Sequence, residues 1–259
     1  MDLQISGRKA LVCAASKGLG RAVAAALAAE GVAVTVLARN APALEEAAQA
    51  IRAATGSTVI PVVADVGTEQ GRDAALAACP DPDILVNNAA GPPPGNFRSL
   101  TREAWLRAIE LNMLAPIELI RRTADGMVAR RFGRIINITA SAMRVPLPML
   151  PLSNGARGGL TAFVAGIAGE LVAHGVTVNN VLPGPFDTER LQETLRAAAI
   201  RHGRTVEEER AIRIQESPAR RLGRPAEFGA MCAFLCSAHA SYITGQNILM
   251  DGGRNPTTF

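Results

Sequence analysis

The sequence predicts an α/β fold: a doubly wound parallel sheet of seven strands with helices on both faces. Three observations carry this expectation. Apolar runs alternate with helical patterns from end to end, as repeated βα units require. Two of the runs, Ile84-Leu85-Val86 and Arg134-Ile135-Ile136-Asn137-Ile138, are close to continuously apolar, as strands covered on both faces must be. The chain of 259 residues, 48% of them hydrophobic, can bury the core of one such domain, read as spanning 1–259.

Strands are expected near 9–14, 32–38, 58–64, 83–87, 133–139, 176–182 and 246–250, and helices near 18–30, 42–55, 68–78, 101–131, 152–173 and 225–237. The first unit, Arg8 to Gly31, organises the rest. A buried strand (Ala10 to Cys13) leads into a turn through Ser16, Lys17, Gly18, Leu19 and Gly20, then into an alanine-rich helix. Such a turn lets backbone N–H groups crowd a phosphate, and the helix N-terminus adds its positive end. Glycine serves here because a Cβ would block the turn or the close approach. The flanking strands make a dinucleotide site the expected reading.

The second strand runs to Arg39, where an acidic residue would accept the ribose hydroxyls of NAD. A cation there suits the extra phosphate of NADP instead, and Lys17 could reach the same phosphate. Asp65 and Val66, closing the third strand, could hold the adenine; Asp65 could equally cap the helix near Thr68. Asn87-Asn88-Ala89-Ala90-Gly91 ends the fourth strand, where open α/β sheets bind their ligands, and Pro92, Pro93 and Pro94 stiffen the loop beyond. Residues 187–224 are longer and more charged than a connection needs. They read as two helices lidding a pocket, with Leu191, Leu195 and Ile200 as one apolar stripe and Ile212 with Ile214 as another. The lid arginines are expected on a solvated face. Arg144 to Pro151, apolar and proline-stiffened, would form the opposite wall and favour a hydrophobic substrate.

Other functions find little support. No apolar run reaches the ~18 residues of a membrane helix, and MDLQISGRKA lacks the layout of a signal peptide, so a cytoplasmic protein without a membrane partner is expected. The net charge of +4 comes without a dense basic run, which argues against nucleic acid. Cys13, Cys79, Cys232 and Cys236 lack metal-ligand spacing and read as buried thiols, so no metal is expected. His174 and His202 show no partner in the sequence, and His239 falls in a turn.

The chain resembles the short-chain dehydrogenase/reductase family over nearly its full length, and within it 3-oxoacyl-acyl-carrier-protein reductases. The resemblance rests on CAASKGLG at 13–20, DV at 65–66, NNAA at 87–90, Asn112 in ELNMLAP, PGPFDT at 183–188, RLGRP at 221–225 and SYITGQNILMDGG at 241–253. It implies a Rossmann-like seven-stranded sheet, NADPH/NADP as cofactor, a small-molecule substrate and a homotetramer or homodimer. The small-residue helix from Ser153 to Ala173 suits subunit contact. Carried over, Ser16, Lys17, Gly18, Leu19, Arg39, Asp65, Val66, Asn88 and Ala89 line the cofactor, Pro183 and Gly184 back the nicotinamide, and Thr188 bonds its carboxamide.

The departures bear on chemistry. The family's catalytic serine, tyrosine and lysine fall on Ala140, Ser153 and Arg157, and of its four acting residues only the asparagine, Asn112, remains. Ala14 stands at the first family glycine, Cys13 at the usual threonine and Ala90 at the end of NNAG. The single tyrosine, Tyr242, precedes the last strand and is expected far from the nicotinamide. Ser141 reads as a loop or cap serine, and Asn112 could instead bond the backbone and kink its helix. Arg157 remains protonated, so it can hold ribose hydroxyls or stabilise charge without titrating. Asn112, Ser153 and Arg157 are thus the candidate catalytic set. Three activities remain open: carbonyl reduction through a held water, reduction of a C=N bond whose iminium brings its own proton, and NADP(H) binding without turnover as a sensor or structural subunit.

Overall fold

The computed structural model describes residues 1–256. Its strands are β1 (Lys9–Cys13), β2 (Ala33–Ala38), β3 (Val59–Val63), β4 (Ile84–Asn87), β5 (Gly133–Ile138), β6 (Val176–Pro183) and β7 (Asn247–Met250). The α-helices are α1 (Gly18–Ala29), α2 (Ala41–Thr55), α3 (Glu69–Ala78), α4 (Arg102–Ile109), α5 (Ala115–Ala129), α6 (Pro151–Val172), α7 (Glu189–His202), α8 (Val206–Gln215) and α9 (Pro225–Cys236). Every strand pair is parallel, in the order β3-β2-β1-β4-β5-β6-β7. The order reverses between β1 and β4, so the connections leaving their carboxyl ends diverge and open a crevice there.

Each sheet face has its own apolar layer. Val23 and Leu27 of α1, Leu44 and Ile51 of α2, and Phe228 and Leu235 of α9 cover one face. Leu119 and Met127 of α5 with Leu160 and Val164 of α6 cover the other. Two of the helix starts carry side-chain caps that fix them: Asn40 accepts from the Ala43 N–H at 2.9 Å and Thr68 from the Gly71 N–H at 3.0 Å.

The apolar strands carry one polar row. Asn87, Asn137, Asn180 and Asn247 lie in register on β4, β5, β6 and β7. Asn87 Nδ2 donates to Asn137 Oδ1 at 2.9 Å, Asn137 to Asn180 at 3.1 Å and Asn180 to Asn247 at 2.9 Å. Inside the row the amides satisfy one another, which lowers the cost of burying them, while Asn87 Oδ1 at the β4 end is buried without a partner.

Two expectations are corrected. The single helix expected over 101–131 is broken: Glu110–Leu114 form a π turn between α4 and α5, in which the Ala115 N–H reaches back to the Glu110 carbonyl. Pro116 is the physical reason, since it has no N–H for the Asn112 carbonyl four residues earlier and its ring crowds that carbonyl. In the lid, α7 and α8 form as expected and Leu191 and Leu195 pack on Leu222 with Val206 and Ile214. Ile200, however, is 86% exposed, because it falls on the opposite face of α7 from that stripe.

Candidate active site

The crevice at the carboxyl edge holds a cavity of about 650 Å³, within the range of small-molecule and cofactor sites. The turn after β1 contributes Ser16, Lys17, Gly18 and Leu19; the end of β2 contributes Arg39, and the end of β3 Asp65 and Val66. Asn88 and Ala89 follow β4, Arg157 comes from α6, and Pro183, Gly184 and Thr188 lead from β6 into α7. Of the residues expected in the site, Asn112 and Ser153 do not line the cavity.

The turn is tight by construction. A Cβ on Gly20 would lie 2.3 Å from the Ala14 carbonyl oxygen and 2.9 Å from Asn88 Nδ2, so only glycine lets α1 start so close to the strand ends. The same Asn88 amide donates to the Ala14 carbonyl at 3.4 Å, tying the β1 turn to β4. Ala14 itself sits at φ +49°, a conformation that L residues rarely adopt. Below the turn, burial pushes the Cys13 thiol up to about 12, partly offset by the Asn88 backbone, so it stays a neutral core group.

Charge is distributed unevenly along the cavity. At the end formed by β2 and β3, Arg39 Nη1 lies 3.7 Å from Asp65 Oδ2, and both are accessible. The cap of α3 is Thr68; Asp65 instead accepts from the Gly67 N–H at 2.9 Å, which corrects the capping alternative. Lys17 Nζ reaches the lid, 3.7 Å from Glu193 Oε1.

At the other end the chemistry centres on Arg157, which is 8% exposed. Its Nε and Nη2 donate to Asn112 Oδ1 at 3.2 and 3.1 Å, Nη2 also donates to the Ala89 carbonyl at 3.4 Å, and Nη1 donates to the Thr139 carbonyl. The Asn112 side chain is therefore spent on Arg157, not on the backbone, and the π turn is what faces it inward. Every oxygen around the guanidinium is neutral, and no carboxylate among the described residues pairs with it. Burial pushes Arg157 down to about 10, with the field of Arg190 adding to the effect, so it keeps its charge at neutral pH.

Ser153 is buried one helical turn before Arg157. Ala140 precedes a short 3₁₀ turn over Ser141–Met143, where the Ser141 carbonyl accepts from the Arg144 N–H at 2.9 Å. Tyr242 is 99% exposed and does not line the cavity. Arg144 to Pro151 do not line this cavity; Val145, Leu147 and Met149 are partly exposed, and Arg144 reaches the Asn247 carbonyl at 3.3 Å. The apolar lining includes Leu19, Val66, Leu111, Ile138, Phe186 and Leu191.

Thr139 and Arg190 are among the cavity residues that the sequence reading did not pick out. Thr139 lines the cavity with its hydroxyl buried and unpartnered. Arg190 lines it from the first turn of α7, two places beyond Thr188. His202, read as partnerless, in fact meets the buried Glu209 at 2.8 Å, and Arg204 meets the same carboxylate at 3.2 Å. The base of the lid is fixed by a bridge from Phe186 to Gly223 and by the Phe186 ring set edge-on against Phe228. Among the described residues no cluster of His, Cys, Asp or Glu is gathered to hold a metal, and no helix is long and apolar enough to cross a membrane.

A parallel sheet of this order, a glycine turn at its switch point and a helical lid define an α/β nucleotide-binding oxidoreductase site, and the comparison with known proteins agrees. The family profile described as enoyl-(acyl carrier protein) reductase matches residues 13–255, and the chain belongs to the short-chain dehydrogenase/reductase family of oxidoreductases. Among its relatives is the 3-oxoacyl-[acyl-carrier-protein] reductase FabG of Vibrio cholerae, 32% identical over 97% of this chain and 98% of that protein. The NADPH-dependent reductase BacG of Bacillus subtilis is 29% identical over 96% and 98%. L-sorbose reductase from Gluconobacter frateurii, solved with NADPH and L-sorbose, superposes with a TM-score of 0.93 at 30% identity, covering 99% of this chain and all of that one.

Proposed function

We propose that the protein is an NADPH-dependent reductase of a carbonyl group on a hydrophobic small molecule, working without a tyrosine acid. One observation carries the reading: a fixed, uncompensated guanidinium, Arg157, at the end of the cavity where the nicotinamide belongs. Bound NADPH would supply the hydride. The N–H groups of the turn at Ser16, Gly18 and Leu19 would hold the pyrophosphate, while Lys17 and Arg39 would take the extra phosphate. Asp65 and Val66 would flank the adenine, Asn88 and Ala89 the adjoining ribose, and Pro183, Gly184 and Thr188 would position the nicotinamide. As hydride reaches the carbonyl carbon, negative charge grows on oxygen, and Arg157 stabilises it without reorganising, because Asn112 and two backbone carbonyls already fix its plane. Ser153 lies on the same face of α6 but does not line the cavity, so it is assigned no contact with the reacting groups. The proton that completes the alcohol comes from water, since Arg157 retains its own.

The same charge disfavours the imine alternative, because an iminium cation would meet an unpaired cation in a buried site. NADPH-complexed L-sorbose reductase and the NADPH-dependent reductase BacG support the cofactor assignment. On α6, Ala162, Ala165, Gly166 and Gly169 leave a smooth exposed face that suits a homodimer or homotetramer, and we place the protein in the cytoplasm. The test is NADPH oxidation against matched ketones and cyclic imines, after NADPH binding has been measured by calorimetry. Ketone turnover is expected. Imine turnover alone would overturn the carbonyl reading, binding without turnover would favour a sensor, and absence of binding would leave only a structural role.

A further inference from the structure

Thr139, the residue that follows β5, is held from two sides. Its N–H donates to the Val181 carbonyl at 3.0 Å, extending the pairing of β5 with β6, and its carbonyl accepts from Arg157 Nη1. The residue is 1% exposed and lines the cavity, yet no group among the described residues pairs with its hydroxyl. Other buried side-chain atoms also lack partners, but Thr139 Oγ1 is the one that belongs to a cavity residue. A second donor is left over beside it. Of the five N–H groups of Arg157, four are committed: those of Nε and Nη2 to Asn112 and Ala89, and one on Nη1 to Thr139 itself. The remaining N–H is on Nη1, the nitrogen already fixed at the Thr139 main chain. A buried hydroxyl without a partner costs stability, and at a cavity wall a ligand that pairs with it accounts for its presence.

We propose that Thr139 is a catalytic residue: its hydroxyl and the uncommitted N–H of Arg157 Nη1 form a two-donor cradle for the oxygen of the substrate carbonyl. This deepens the carbonyl-reductase reading and rests on it for the identity of the reacting group. Rotation about the Thr139 Cα–Cβ bond turns the hydroxyl toward that oxygen, whose two lone pairs receive one donor each. As the carbon gains hydride and the C=O π bond breaks, the oxygen becomes an alkoxide and both hydrogen bonds become charge-assisted. They strengthen in the transition state more than they tighten ketone binding, so they raise kcat. The hydroxyl keeps its own proton, and the alkoxide takes one from water, releasing hydroxide to the solvent. The main-chain bonds on both sides of Thr139 supply the preorganisation. The cradle also selects its substrate, because an iminium N–H offers no lone pair to either donor.

The experiment compares the wild-type chain with Thr139→Val, which replaces the hydroxyl by a methyl of similar shape, and Thr139→Ser, which keeps it. The probes are aryl and medium-chain methyl ketones labelled with ¹³C at the carbonyl. Infrared spectra of the ketone on protein loaded with NADP, a complex that cannot turn over, read hydrogen bonding to the carbonyl oxygen, and NADPH oxidation reads turnover. The C=O stretch is expected at lower frequency in wild type and Thr139→Ser than in Thr139→Val. In Thr139→Val kcat is expected to fall about 10²–10³-fold, the cost of one such donor, while Thr139→Ser retains most of it. Without ligand, Thr139→Val should unfold at the same urea concentration as wild type or a higher one, because an unpaired hydroxyl has been removed. A C=O stretch unchanged in Thr139→Val, turnover retained at the wild-type kcat, or a lower urea midpoint overturns the proposal and leaves the reductase reading standing. A shifted stretch without NADPH oxidation by wild type upholds the cradle and overturns the reductase reading instead. Failure of every ketone to bind overturns both.

Discussion

Ala14 carries a backbone conformation whose cost can be measured. Ala14 holds φ +49°, where an L side chain costs about 1–2 kcal/mol relative to its preferred regions. Glycine would relieve this while adding unfolded-state entropy, so Ala14→Gly is predicted to stabilise the protein by about 0.5–1 kcal/mol in urea unfolding. Thr139 and Arg157 place an unpartnered hydroxyl and a fixed cation beside the cavity, while Ser153 is buried one turn before Arg157. Arg157 was legible as a cation from the sequence. Its lack of a counter-ion was not, because that depends on which side chains the fold brings near it.

Among the elements, the π turn and the lid decide how the site is presented. The π turn swings Asn112 onto Arg157, and its signal was in the sequence: Pro116 four residues after Asn112 forbids the regular helical bond. The lid is held to its base by Arg210, which bonds both carboxylate oxygens of Asp187, at 3.0 and 2.6 Å. The Arg210 hydrogen bonds hold the Asp187 pKa below its ordinary 3.8, and a depressed acid contributes stability above its unfolded pKa that is lost as pH falls through the folded one. The pair is largely accessible, so its worth is about 0.2–1 kcal/mol. Asp187→Asn at neutral pH should therefore speed hydrogen exchange in residues 187–215 about two- to fivefold. Wild type should approach the same behaviour only below about pH 4, after correction for intrinsic exchange. The Leu191 and Leu195 stripe could be read from helical spacing, whereas Ile200 shows its limit, since an apolar residue off the stripe looks the same in sequence.

Across the whole molecule, parallel topology does most of the work of gathering the site. Six strands end at one edge beside the cavity or the row of amides, so short motifs scattered from residue 13 to residue 188 converge once the strand order is known. That convergence was readable because buried parallel strands are nearly continuous apolar runs and their carboxyl ends are where ligands bind. The loop after β5 carries no periodicity, so its place relative to the cavity could not be read from sequence, and its Val145, Leu147 and Met149 are partly exposed. The central claim concerns a reductase that does without phenol chemistry, and the chain contains a single tyrosine, Tyr242, exposed and away from the cavity. The most direct measurement is ketone-dependent NADPH oxidation by wild type and Tyr242→Phe side by side. The account predicts turnover in both, with kcat/KM equal within about twofold. Loss of the ~10²–10⁴ that a general acid supplies, confined to the variant, would contradict it.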